Sequence, residues 1–108
     1  MNGSFEIREY TEGGRSPFAE WFDDLDAVTA ARVDRYVRRL EAGNFGAAKL
    51  LRDGVFELRL DFGPGYRVYY GREGRTIIIL LGGGSKRRQD ADIAAAVERW
   101  KRYKQTKA

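Results

Sequence analysis

Residues 56–70 read FELRLDFGPGYRVYY. Apolar and charged residues alternate up to a Gly-Pro-Gly turn, after which the alternation resumes with Arg67 set between aromatics. A period of two on both sides of a turn means two antiparallel strands, each with an apolar and a polar face. Phe56, Leu58 and Leu60 point one way in the first arm, and Glu57, Arg59 and Asp61 the other. The length of the turn decides where Arg67 goes. A two-residue Pro64-Gly65 loop would place it among Leu60 and Phe62, where an unpaired charge is strongly unfavourable. A three-residue loop, or a bulge at one of the glycines, sets Asp61 opposite Arg67 and Arg59 opposite Tyr69. An exposed sheet face then gathers Glu57, Arg59, Asp61, Arg67 and Tyr69, with an Asp61–Arg67 ion pair as its simplest use.

The flanking sequence supplies the other elements. FEIREY, residues 5–10, alternates like a short strand. Ser16 and Pro17 offer an N-cap and a first helical residue, and Phe18, Trp21, Phe22 and Leu25 follow at helical spacing. A second helix is expected from Asp26 to about Ala42, with Ala30, Val33, Val37 and Leu40 as its apolar stripe, Arg32, Arg35 and Arg39 on another face, and Gly43 as cap. Residues 43–54 read as a loop. After YRVYY, Gly71-Arg72-Glu73-Gly74 reads as a second hairpin turn into RTIIILL, which is apolar on both faces and so expects cover on each side. From about Arg88 to Lys104, Ile93, Val97 and Trp100 mark a last helix. Phe18, Trp21, Phe22 and Trp100 are expected in the core. The order β-α-α-β-β-β-α predicts an α+β fold: one domain over residues 1–108, with a mostly antiparallel four-stranded sheet, two N-terminal helices on one face, and a C-terminal helix.

Composition narrows the chemistry. The chain of 108 residues has no cysteine and no histidine. Disulfides and thiolate zinc sites are excluded, and acid–base work falls to Glu, Asp, Lys, Arg or Tyr. A mechanism without metal or cofactor is the expectation. No stretch has the length and apolarity of a membrane span, and the first residues lack the plan of a signal peptide, so a cytoplasmic protein without a membrane partner is expected. Net charge is −5 over residues 1–31 and +9 over residues 32–108, which points the second part toward a polyanion. GGGSKRRQD, residues 82–90, brings what reads as a flexible glycine backbone and three cations to a helix N-terminus, where anions are favoured. It is not a nucleotide-binding phosphate loop, because Ser85 precedes Lys86 and Arg87 follows it. The hairpin order lets Lys86 approach the edge of the Arg59/Arg67/Tyr69 face.

Together these residues resemble the RelE/ParE superfamily of bacterial toxins, and within it the HigB-like, phage-derived "addiction module killer" branch. The resemblance is strongest over GVFELRLDFGPGYRVYYGREG, LLGGGSKRRQDADI and the Trp100–Tyr103 end. It implies the toxin of a type II toxin–antitoxin pair, a ribosome-dependent messenger-RNA endonuclease neutralised by a cognate antitoxin, often a small helix-turn-helix protein. By position, Arg67 matches the arginine that RelE-like nucleases direct at the scissile phosphate. Arg59 lies where they carry a catalytic lysine or arginine, Glu57 shares its face, and Lys86 matches a lysine in the branch's GGDK-like turn. Ser85 stands where Asp is usual, and Arg87 and Arg88 where small hydroxyl residues are usual. The resemblance implies a catalytic set of Glu57, Arg59, Arg67 and Lys86, with Tyr69, Arg87 and Arg88 toward RNA. Two other readings share the fold or the charge: a ParE-like gyrase poison, and a non-catalytic nucleic-acid-binding or regulatory module.

Overall fold

The computed structural model describes residues 4–107. β1 (Glu6–Glu9) leads to two helices, α1 (Pro17–Asp23) and α2 (Ala27–Glu41). Four strands follow, β2 (Ala48–Leu50), β3 (Phe56–Arg59), β4 (Arg67–Glu73) and β5 (Ile77–Gly84), and then a single-turn 3-10 helix at Lys86–Arg88 runs into α3 (Gln89–Lys107). The sheet has five strands in the order β1-β5-β4-β3-β2, antiparallel except for the parallel β1–β5 pair.

The helices start and stop as local chemistry requires. The Ser16 side chain accepts from the Ala19 amide at 3.0 Å, with Pro17 as the first helical residue, and Asp26 accepts from the Thr29 amide at 2.7 Å. α2 ends in paired backbone bonds, Gly43 N–H to the Leu40 carbonyl at 2.9 Å and Asn44 N–H to the Arg39 carbonyl at 2.8 Å. Gly43 sits at φ 86°, the left-handed conformation this termination needs.

The expected four-stranded sheet is corrected to five strands, because part of the presumed loop at 43–54 is β2. Arg52, Asp53 and Gly54 turn β2 into β3, with both Asp53 and Gly54 at positive φ (55° and 83°). Asp-Gly is the dipeptide that such a tight hairpin turn favours. The second hairpin turn also moves: β4 continues through Glu73, which pairs with Ile77, so Gly71 and Arg72 are strand residues.

Two apolar layers flank the sheet. Phe18, Val33, Val37 and Leu40 from α1 and α2 bury Leu58, Leu60, Val68, Tyr70, Ile78 and Leu80. On the opposite face, Ala96 and Trp100 of α3 bury Val55, Tyr69, Ile79 and Leu81. β5 is therefore covered on both sides, as its sequence expects. Trp21 and Phe22 sit partly buried at the margin of the first layer, whereas Phe18 and Trp100 lie within the core.

Candidate functional site

The β3–β4 register differs from both loop lengths considered above. Glu57 lies opposite Tyr69 and Arg59 opposite Arg67, and the Leu60 amide donates to the Tyr66 carbonyl at 2.9 Å. Five residues, Asp61 to Gly65, make the loop. Compared with the expected pairing, β4 has slid by two residues, which preserves every side chain's face and changes every partner. The reason lies in the loop. Gly63 and Gly65 take positive φ, and Phe62 and Tyr66 pack ring to ring at 5.4 Å, with the Arg32 guanidinium 4.2 Å from the centre of the Phe62 ring. Asp61 is left exposed and forms no ion pair with Arg67.

Arg67 instead reaches the diagonal neighbour on β3. Its Nε lies 3.4 Å from Glu57 Oε2, and its Nη1 donates to the Gly65 carbonyl at 2.6 Å. The face expected to be exposed is covered by α3, so both charges are buried, with side chains 8% and 3% exposed. Gln89, the first residue of α3, donates from Nε2 to the same Glu57 Oε2 at 2.8 Å. Tyr69 is wholly buried, and its hydroxyl and Arg67 Nε make no hydrogen bond. Burial first, then the nearby Glu57 and Asp92 carboxylates, hold the Tyr69 phenol far above its ordinary range, against a smaller opposing pull from Arg67. Tyr69 is thus a neutral donor at any physiological pH, and its ring packs in the core, unavailable here for stacking on a base.

The remaining candidates form a cationic rim around this buried group. Arg59, directly opposite Arg67, stays exposed, and this separates two charges that would otherwise repel across the pair. Lys86, Arg87 and Arg88 are exposed on the 3-10 turn. Lys86 meets the Asp61–Gly65 loop: its amide donates a long 3.4 Å bond to the Pro64 carbonyl, and its Cβ and Arg67 Nη1 lie 3.3 and 3.1 Å from where a Gly65 Cβ would stand. Lys86 thus does approach Arg67, across a glycine.

Gly82, Gly83 and Gly84 correct a second expectation. They are the last residues of β5, and each takes a foreign group where a side chain would sit. Arg99 Nη1 is 2.8 Å from the Gly82 Cβ position, the Trp21 ring occupies that of Gly83, and the Asp92 carboxylate that of Gly84. The register slips between Tyr69 and Tyr70, leaving Leu81 unpaired as a bulge, and Arg99 Nη1 donates to the Leu81 carbonyl at 2.9 Å. Burial raises the Asp92 carboxyl above its usual range, partly countered by Arg88 and Arg99. The glycines thus serve close packing at the point where β5 hands over to the cationic turn.

Among the described residues no three acidic, histidine or cysteine side chains cluster as a metal site, and no helix is long and apolar enough to cross a membrane. What the site offers is one carboxylate, two guanidiniums at different depths, a neutral phenol, an amide clamp and a rim of cations. Residues 20–103 match the family model described as "Phage derived protein Gp49-like (DUF891)". The chain belongs to that Gp49-like family. A relative from Haemophilus influenzae (strain Rd), described as an uncharacterized protein, is 45% identical over 80 residues, covering 73% of this chain and 81% of the relative. The Gp49-like match spans the whole of the buried group and its rim, from Glu57 through Arg88 and Gln89.

Gln89 and Asp92 were not among the residues singled out from the sequence. Their only local signal was the polar pair's place in the first turn of α3, because their partners lie on strands distant in the chain.

Proposed function

We propose that the protein is the toxin of a type II toxin–antitoxin pair and acts as a metal-independent, ribosome-dependent messenger-RNA endonuclease. Membership of a phage-derived family and the resemblance to HigB-like nucleases support the reading. The observation that carries it is the Glu57–Arg67 pair, buried at 3.4 Å beside the apolar layer under α3 and beneath exposed cations. Apolar residues of similar volume commonly match or exceed the stability of a buried ion pair, so stability alone is a weak reason for such a pair.

Cleaving RNA without a metal requires removal of the 2′-hydroxyl proton, stabilisation of a phosphorane with added negative charge, and protonation of the leaving 5′-oxygen. In this reading Glu57 takes the proton, and Arg67 and Arg59 hold the phosphate, one from below and one from the surface. Lys86 assists the leaving oxygen, with the neutral Tyr69 phenol as the deeper donor. Arg87 and Arg88 bind the flanking backbone. RNA approaches through the seam between the Asp61–Gly65 loop and the Lys86 turn, where one long backbone bond crosses. A base that sits below the surface reacts slowly with free RNA, and the ribosome supplies positioning and the work of opening the seam.

Inducing the protein and mapping messenger-RNA ends tests this. Cuts within translated frames, lost in Arg67→Ala and Arg59→Ala variants that remain folded, are the expected result. Intact RNA with broken DNA would mean a gyrase poison. Full toxicity of both variants would refute the assigned site.

A further inference from the structure

We propose that Gln89 is a positioning residue: its side-chain amide holds the Glu57 carboxylate by Oε2, leaving Oε1 as the oxygen that takes the proton. The inference rests on Glu57 being the base. The Gln89 Nε2 contact at 2.8 Å and the Arg67 Nε contact at 3.4 Å both fall on Oε2 of this carboxylate, and Oε1 takes neither; the buried Tyr69 hydroxyl lies near the same carboxylate without a well-formed hydrogen bond. The arginine contact is too long for a strong hydrogen bond, so the amide is the bond that sets the orientation. The terminal torsion of a glutamate is broad, and the amide bond fixes the plane of the carboxylate, so that the oxygen not held by Gln89 keeps its lone pairs for the proton. Because an ionised carboxylate only accepts, the Gln89 amide presents its nitrogen to Glu57 and not its oxygen.

Gln89 is itself fixed by the cationic turn. Its backbone N–H bonds to the Lys86 carbonyl as the 3-10 helix closes, so the amide is carried on the same rigid turn as Lys86, Arg87 and Arg88. Residues that would meet the phosphate and the residue that orients the base thus move as one piece. A conservative change at Gln89 therefore alters the chemical step more than RNA binding.

Two variants and one spectroscopic measurement test the assignment. Gln89→Leu removes the donor at similar volume. Cleavage of a ribosome-bound messenger RNA should fall about tenfold in kcat, less than the loss of the base itself, with KM changed by no more than about twofold. In Gln89→Glu a second carboxyl faces Glu57, and the acidic limb of the pH profile should move to higher pH if Glu57 is the base, whereas the fall in kcat at unchanged KM in Gln89→Leu separates positioning from a merely structural role. Wild-type kcat and pH profile in both variants would overturn the proposal.

The amide can be read without any cleavage. In ¹⁵N spectra the Gln89 side-chain resonances of the wild-type protein should stand apart from those of free glutamine, and return toward them in the double variant Glu57→Leu with Arg67→Leu, which leaves no buried charge unpaired. Identical resonances in the two proteins would overturn the proposal even if RNA is cut. If the wild-type protein cuts no RNA, the nuclease reading falls, and the amide shift alone then decides whether Gln89 holds Glu57.

Discussion

Arg67→Leu should destabilise the protein far more than the joint replacement of Arg67 and Glu57. At 3.4 Å and an effective dielectric constant of ~20, the pair attracts with about 5 kcal/mol. Most of that offsets the cost of taking both charges out of water. Removing the arginine alone leaves a carboxylate that is 3% exposed, with its charge balanced only by neutral donors such as the Gln89 amide, and costs about 3–5 kcal/mol. For a chain of this size that lowers Tm by roughly 12–20 °C, at about 4 °C per kcal/mol. In the double variant, Glu57→Leu with Arg67→Leu, two leucines join the layer of Val55, Tyr69, Ile79 and Leu81. The losses are then the hydrogen bonds from Gln89 and to Gly65, about 1 kcal/mol each, against the gain of apolar burial. Stability should return to the wild-type value or exceed it. Chemical denaturation of the four proteins of the cycle measures the coupling directly. A single variant within about 1 kcal/mol of wild type, or a double as unstable as the single, would refute the view that these charges are desolvated and mutually dependent. Under the proposed function the double is also the diagnostic protein, folded as well as wild type and without toxicity.

The other expectations concern separate parts of the structure. Gly83→Ala drives a methyl into the Trp21 ring and should cost about 1–3 kcal/mol, whereas Gly84→Ala meets the end of the Asp92 side chain, which can swing aside, and should cost less in the same thermal melts. Burial raises the Asp92 carboxyl in the folded state, so the folded protein binds its proton more tightly than the unfolded chain. Its ionisation therefore disfavours folding above that raised value. Asp92→Asn should be stabilising at neutral pH, by a margin that shrinks as pH falls toward the ordinary aspartate range, measured by urea denaturation across pH. Burial pushes the Tyr70 phenol up to about 12. Between pH 10 and about 12 the unfolded chain loses this proton first, and wild-type stability should fall faster than that of Tyr70→Phe by up to about 1.4 kcal/mol per pH unit. Arg59→Ala and Lys86→Ala, both exposed, should leave Tm unchanged and, under the proposed function, weaken RNA binding and flatten its salt dependence.

The hairpin at 56–70 shows how far alternation reaches. A period of two decides which face a residue occupies, so Glu57, Arg59, Arg67 and Tyr69 were correctly gathered on one side. It is blind to a slide of two residues, and the partner of Arg67 was accordingly read as Asp61 instead of Glu57. The five-residue loop is packed by Phe62 against Tyr66 and under Arg32, and Arg32 comes from a helix distant in the chain. β2 was missed because three residues carry no pattern, although Asp53-Gly54 already announced a hairpin. The glycine run looked flexible for the same kind of reason. What fills the space above Gly82, Gly83 and Gly84 is supplied by Arg99, Trp21 and Asp92, which no local window contains.

The parallel pairing of β1 with β5 joins Glu6 to Ile77, and so ties the order of folding to the order of synthesis. β1 has no other partner in the sheet, and the helices that follow it must keep Phe18, Val33 and Leu40 uncovered until the strands they pack on arrive. Contacts of such long sequence separation form slowly and leave apolar surface open meanwhile. Gln89 and the cover over Glu57 and Arg67 come later still, with α3. A growing chain therefore holds the Glu57–Arg67 group uncovered until α3 has been made and has packed on the sheet.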